Sequence, residues 1–193
     1  MFLTSLYKSL KVRGAACALT LLSVWFSTAS WANHALFFPF VDTQQSLGVM
    51  SDVFEDEYTF ECSETDEQWR YCAEFVYYQT SVFAYFYESA GVIKRAELEV
   101  EPSMNHLAQV QYNLRRDGFE VSSVSHSGEV FDVKKQLKMV SPSDVDKALI
   151  EFINSHSPSE PITLVWNKYD NQSDARAVVA YDVLMLQLTF TRE

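Results

Sequence analysis

The sequence predicts an α+β two-layer sandwich. An antiparallel sheet of about six strands would carry three helices on one face, built from helix–hairpin units of roughly 40 residues. Three observations lead there. Apolar residues recur at helical spacing in three places: Trp69, Cys72, Ala73, Val76 and Tyr77; Met104, Leu107, Ala108 and Leu114; and Val145, Ala148, Leu149, Phe152 and Ile153. A pair of strand-like runs follows each, over residues 80–101, 119–140 and 161–191. The second and third helices are preceded by the same dipeptide, Pro102-Ser103 and Pro142-Ser143. Proline there ends the incoming strand and serine caps the helix.

Residues 1–32 read as a secretory signal peptide and not as part of the fold. Lys8, Lys11 and Arg13 precede an apolar run over residues 14–30, and Ser30-Trp31-Ala32 offers small residues at a cleavage site. Residues 33–193 then form a single domain in a periplasmic or secreted protein. No later run is apolar for long enough to cross a bilayer. The formal net charge is −11, and losing the three N-terminal cations makes it more negative. Such a chain repels nucleic acid and anionic membrane surfaces, so neither is expected as a partner. Cys62 and Cys72 remain after signal removal. In an exported chain an isolated pair forms a disulfide, here tying the first turns of the first helix to the strand before it.

Residues 33–51 read as a short strand or a packed N-terminal arm, with Pro39 confining any strand to an edge. Eight of the sixteen residues over 52–67 are acidic, which suits a solvated strand edge followed by a helix N-terminus. No calcium-loop spacing occurs among them. Gly118 closes the second helix behind Arg115 and Arg116, both favourable at a helix C-terminus. The last strand, residues 175–192, is long enough to bend or bulge near Asp182.

Ser89-Ala90-Gly91 and His126-Ser127-Gly128 look like matching three-residue hairpin loops, each ending on a left-handed glycine. That choice pairs Glu88 with Val92 and Ser125 with Glu129. In the second hairpin it sets Val121 opposite Val133 and Ser123 opposite Phe131. In the first it buries Val82, Ala84, Phe86, Ala96, Leu98 and Val100. Phe83, Tyr85 and Tyr87 then share the outer face with Ile93, Arg95, Glu97 and Glu99. Phe83, Tyr85, Tyr87, Ile93 and Arg95 are the candidate binding residues, because aromatic residues and arginine dominate the energetics of protein interfaces.

Motifs for catalysis are missing. His34, His106, His126 and His156 lie apart in the sequence, on the N-terminal arm, a helix and two loops, without zinc-binding spacing, and no metal or cofactor is expected. No nucleophile motif occurs, and the five glycines are too dispersed to cradle a phosphate. Asp170 and Asp182 are carboxylates near apolar strand positions, and Asn171-Gln172-Ser173 matches a glycosylation triplet. The expected function is therefore binding through the aromatic sheet face. The partner would be another protein of the cell envelope or extracellular space, or a second copy of this chain. A second reading is a carrier of a small apolar ligand held between sheet and helices by Trp69, Val76, Tyr77, Phe152 and Trp166. A third is an enzyme with no recognisable motif.

Overall fold

Alternating burial, and not helical periodicity, decides this fold. The computed structural model describes residues 35–49, 52, 59–62, 70–169 and 174–192. The expected signal segment, His34, most of the acidic run, Trp69, Asp170 and the expected glycosylation triplet lie outside them. The described strands are β1 (Thr59–Glu61), β2 (Arg70–Tyr77), β3 (Thr80–Ser89), β4 (Val92–Val100), β5 (Glu120–His126), β6 (Glu129–Asp132), β7 (Ile162–Tyr169), β8 (Asp174–Tyr181) and β9 (Leu186–Arg192). The described helices are α1 (Phe38–Val41), α2 (Met104–Arg116), α3 (Val133–Gln136) and α4 (Pro142–Asn154). All nine strands join one antiparallel sheet in the order β1-β2-β3-β4-β9-β8-β7-β5-β6. This corrects the expected six-stranded sheet with three helices.

Two local readings account for the difference. The segment read as a first helix is strand β2, in which Tyr71, Ala73, Phe75 and Tyr77 are buried at every second position. Its residues also fit a helical stripe, but pairing with β3 (Ala73 with Ala84, Phe75 with Val82) satisfies the backbone of both strands. A helix here would have left that edge of β3 open. At the other end, residues 175–192 do not run as one bent strand. They reverse at Asp182, whose carboxylate accepts the N–H groups of Leu184 and Met185 at 2.7 and 2.8 Å while its own N–H bonds Met185 O. The result is the β8–β9 hairpin. With strand β2 in place of a helix directly before β3, the proposed run of three helix–hairpin units does not hold.

The other helices form where capping chemistry places them. Ser103 Oγ accepts the N–H of His106 at 3.0 Å and starts α2. Gly118, at φ +85, ends it behind Arg115 and Arg116. Helix α4 is capped by Ser141, not Ser143, and Pro142 is its first residue, where a missing N–H costs nothing. Leu107, Val110 and Leu114 of α2 are buried in the core, and Leu149, Phe152 and Ile153 of α4 pack against its edge.

Both matching loops are one residue shorter than expected. Ala90-Gly91 and Ser127-Gly128 have positive φ at both positions (57 and 80; 51 and 87), so Ser89 pairs with Val92 and His126 with Glu129. Two-residue loops of this hand match the right-handed twist of the flanking strands, which outweighs the strain on Ala90 and Ser127. A bulge accompanies each, within the first hairpin and on the β7 side of β5 in the second. Tyr87 pairs with Arg95 but Glu88 pairs with Ile93, leaving Lys94 as the extra residue. In β5, Val121 pairs with Trp166 of β7 and Ser123 with Val165, leaving Ser122 extra. The six expected core residues of the first hairpin are buried, two places away from the expected register (Ala84 with Leu98, Phe86 with Ala96). In the second hairpin Phe131 faces Val124 and not Ser123.

The N-terminal arm packs on the core, with a helical turn at α1 in place of a strand. Phe37 lies 5.3 Å from the rings of both Phe75 and Tyr77 and 5.1 Å from Phe190. The carbonyls of the arm are held by two cations from the sheet. Arg192 donates to Pro39 O, Thr43 O and Gln45 O, and Lys168 Nζ donates to Val41 O and Asp117 O at 2.7 Å each. Beyond the Thr191–Arg95 pair, Gly48 O takes the N–H of Ile93. Asp117, at the end of α2, accepts the hydroxyls of Tyr77 (2.6 Å) and Tyr78. Burial holds the Asp117 carboxyl above its ordinary pKa even though both hydroxyls pull it down.

The Cys62–Cys72 disulfide is present. It ties the residue after β1 to β2, not a helix to a strand, and is consistent with a protein outside the cytoplasm. No helix among the described residues is long and apolar enough to cross a membrane.

Two stability measurements test this frame. Breaking the disulfide with reductant, or with Cys62→Ala/Cys72→Ala, is expected to cost about 3 kcal/mol from the loop it closes, read as a drop in the urea midpoint. Arg192→Met is expected to cost about 2 kcal/mol by stranding arm carbonyls, and to speed hydrogen exchange at the Asp42 and Gln45 amides without changing that of β7.

Candidate functional site

The strand register sorts the expected binding residues. Across β2, β3, β4 and β9 the outer face carries three cross-strand rows: Arg70, Tyr87, Arg95 and Thr191; Cys72, Tyr85, Glu97 and Thr189; and Glu74, Phe83, Glu99 and Gln187. Phe83, Tyr85, Tyr87 and Arg95 therefore share one face and are half-buried in it. Ile93 does not join them. The bulge at Lys94 turns Ile93 inward, where it is fully buried beside the arm.

The row is held by its own contacts. Arg95 stacks over the Tyr87 ring at 3.8 Å, and its Nε lies 3.5 Å from the Glu97 carboxylate. Tyr87 donates its hydroxyl to the same carboxylate at 2.7 Å. Burial first, and then that hydrogen bond, push the Tyr87 phenol above its ordinary pKa. Tyr85 donates to Glu99 at 3.4 Å, Arg70 lies over its ring at 5.4 Å, and Phe83 meets it edge-on at 5.0 Å. Phe60 of β1, half exposed, extends the aromatic run to the sheet edge at 6.4 Å from Phe83. No described element covers this face. The arm, which could have covered it, is bonded to the other side.

Of the residues expected to line a ligand cavity, Trp69 lies outside the described residues and the other four do not form one. Tyr77 and Trp166 are packed in the core and Val76 projects from the opposite face of β2. Phe152 packs on Phe131 at 5.6 Å and on His156 at 4.9 Å.

No motif in the sequence signals a second polar cluster. His126 and His156, both read as loop residues, stack at 4.5 Å with their planes 20° apart. The bulge at Ser122 and the short loop together turn His126 inward, and it is 3% exposed. His156 follows α4, with Nδ1 2.8 Å from Phe152 O. Glu160 lies 4.0 Å from His126 Nδ1, and Glu129 lies 3.7 Å from His156 Nε2. Burial, followed by the neighbouring His156, holds the His126 pKa below its ordinary value, with Glu160 opposing. Ser127 donates its hydroxyl to Glu160 and so does not form a nucleophile–base pair with an imidazole. Among the described residues no group of three or more His, Cys, Asp or Glu is placed to hold a metal ion.

No protein-family profile, curated protein or solved structure matches the chain.

His126 gives this cluster a pH signature. Its native imidazole takes up a proton less readily than the unfolded one, whose pKa is 6.5. Stability should therefore rise with pH up to 6.5 and fall as pH drops below it, as the unfolded state gains protons first. Urea unfolding at about pH 7.5 and about pH 5.5 should show this fall in the wild type and a smaller one in His126→Asn.

Proposed function

We propose that the protein is an exported binding protein, and that the outer face of the sheet around β3 and β4 receives another protein of the cell envelope or extracellular space. The observation that carries this reading is the aromatic row itself. Phe83, Tyr85 and Tyr87 stand side by side on a face that no described element covers, held in place by Arg95, Glu97 and Glu99. Side chains already ordered before contact lose little conformational entropy on binding. Tyrosine and arginine supply large contact area with a polar end for hydrogen bonding. Two arginines and three glutamates leave the three rows with a small negative charge, so a partner would be recognised by shape and aromatic contact more than by net charge. The disulfide supports the compartment.

Tyr85→Ala/Tyr87→Ala should leave urea stability within about 1 kcal/mol of wild type. It should weaken partner capture from an envelope extract by about thirtyfold, the scale of a hot-spot pair. Equal recovery of the same partner by both proteins would remove the face from consideration. Sedimentation of the purified wild type separates the remaining case. If a dimer forms and the double variant abolishes it, the face receives a second copy of this chain and not another protein.

A further inference from the structure

A cavity of about 270 Å3 lies between α2, α4 and strands β5, β7 and β8, away from the aromatic face. Its apolar wall is built from Leu107 of α2, Ile153 of α4, and Ile162 and Leu164 of β7. Two polar side chains join them from the sheet. The strand register sets His126, Ile162 and Tyr181 in one row across β5, β7 and β8, so an imidazole and a phenol flank the isoleucine. Both line the cavity and both are more than nine-tenths buried, with exposures of 3% and 7%. Ligand sites characteristically combine an apolar body with a few convergent polar groups, and this volume is near their lower limit of about 300 Å3.

The hydrogen bonds of His126 define what the cavity selects. Ser127 has a single side-chain proton and donates it to Glu160, so its oxygen is the acceptor for His126 Nδ1 at 3.3 Å. His126 Nδ1 therefore carries the ring proton. Burial and the neighbouring His156 disfavour a second proton on the ring. Nε2 is then a lone pair with no hydrogen-bond partner among the described residues. A buried acceptor favours a ligand that brings a donor over one that covers it without. The Tyr181 hydroxyl also has no partner among the described residues. A phenol both donates and accepts, so Tyr181 sets no requirement of its own. His156 adds no open nitrogen: its two face the Phe152 carbonyl and the Glu129 carboxylate, and its ring stacks on His126. Glu160 is half exposed and occupied by Ser127, so no ionic partner waits inside for a charged ligand.

We propose that this cavity is a binding site for a small uncharged hydroxyl compound, a phenol or an alcohol, with an apolar body. The hydroxyl donates to His126 Nε2 and the body lies against Leu107, Ile153, Ile162 and Leu164. An apolar group in place of the hydroxyl strands the acceptor, and an ether oxygen sets one lone pair against another. The bulge at Ser122 turns His126 inward and so supplies the acceptor. This site shares no residue with the aromatic sheet face and does not depend on it.

The test is an amide NMR titration of the purified protein at about pH 7.5 with p-cresol and anisole. The two are isomers of the same bulk, and only p-cresol carries a donor. Saturable shifts at the Leu107, Ile153 and Ile162 amides are expected with p-cresol, and binding of anisole about tenfold weaker. His126→Leu, which removes the acceptor at similar size, should bring p-cresol down to the level of anisole and leave anisole unchanged. Gln111→Trp, at a partly exposed α2 position lining the cavity, should fill it and abolish the shifts while the spectrum stays folded. Should His126→Leu fail to fold, the anisole comparison and Gln111→Trp decide between them. Tyr85→Ala/Tyr87→Ala should bind as wild type. No saturation by p-cresol up to about 10 mM, as for a cavity that holds only water, would overturn the assignment. So would anisole binding as tightly as p-cresol, an unchanged preference in folded His126→Leu, or unchanged binding in Gln111→Trp.

Discussion

A single sheet with its core on one side permits only one parity along each strand, and most of this structure answers to that constraint. Each strand must send alternate side chains inward, and any change of parity costs an extra residue. Among the described strands that change occurs twice, at Lys94 and at Ser122. Each bulge lies in a hairpin strand and adds an inward residue that strict alternation would have exposed: Ile93 in one case, Val124 and His126 in the other. The aromatic row and the histidine pair both follow from these two positions. Without the first bulge Ile93 would stand among the outer aromatics; with it, the row is Tyr, Tyr and Phe backed by Arg95. Without the second, His126 would face solvent.

The same one-sidedness explains why cations hold the arm. Residues 35–49 bring Leu36, Phe37 and Phe40 to the core but leave carbonyls without partners inside the arm. Arg192 and Lys168 reach across from β9 and β7 to supply the donors. Lys168 also binds the last carbonyl of α2 at Asp117, whose side chain anchors the β2–β3 turn through Tyr77 and Tyr78. Arm, helix end and hairpin turn therefore meet at one polar junction, and the arm is kept from covering the outer face.

The two candidate sites differ in kind. The outer face is broad, pre-ordered and only weakly charged overall, which suits a macromolecular surface. The histidine cluster is small and lies where α4 meets β5, beside an apolar cavity. They lie on different parts of the sheet and are built by different bulges.

Much of this was legible in the residues. Ser103, Gly118 and the apolar spacing of Leu107 and Leu114 placed α2. The alternation over Val82–Ala84–Phe86 and Ala96–Leu98–Val100 chose the buried face correctly even from the wrong loop, because a two-residue loop plus one bulge restores the parity of a three-residue loop. The disulfide followed from two isolated cysteines. What the sequence left open was every choice in which two local patterns fitted equally well. Tyr71 to Tyr77 satisfies both a helical stripe and a strand, and only the unpaired edge of β3 decides between them. Asp182 marks a break in either a bend or a turn, and only pairing of β9 with β4 requires the turn. His126 and His156 are distant in sequence and carry no motif. They meet because the packing of α4 on a bulged β5 brings them together, and local residue chemistry cannot specify a contact that depends on where two remote elements come to rest.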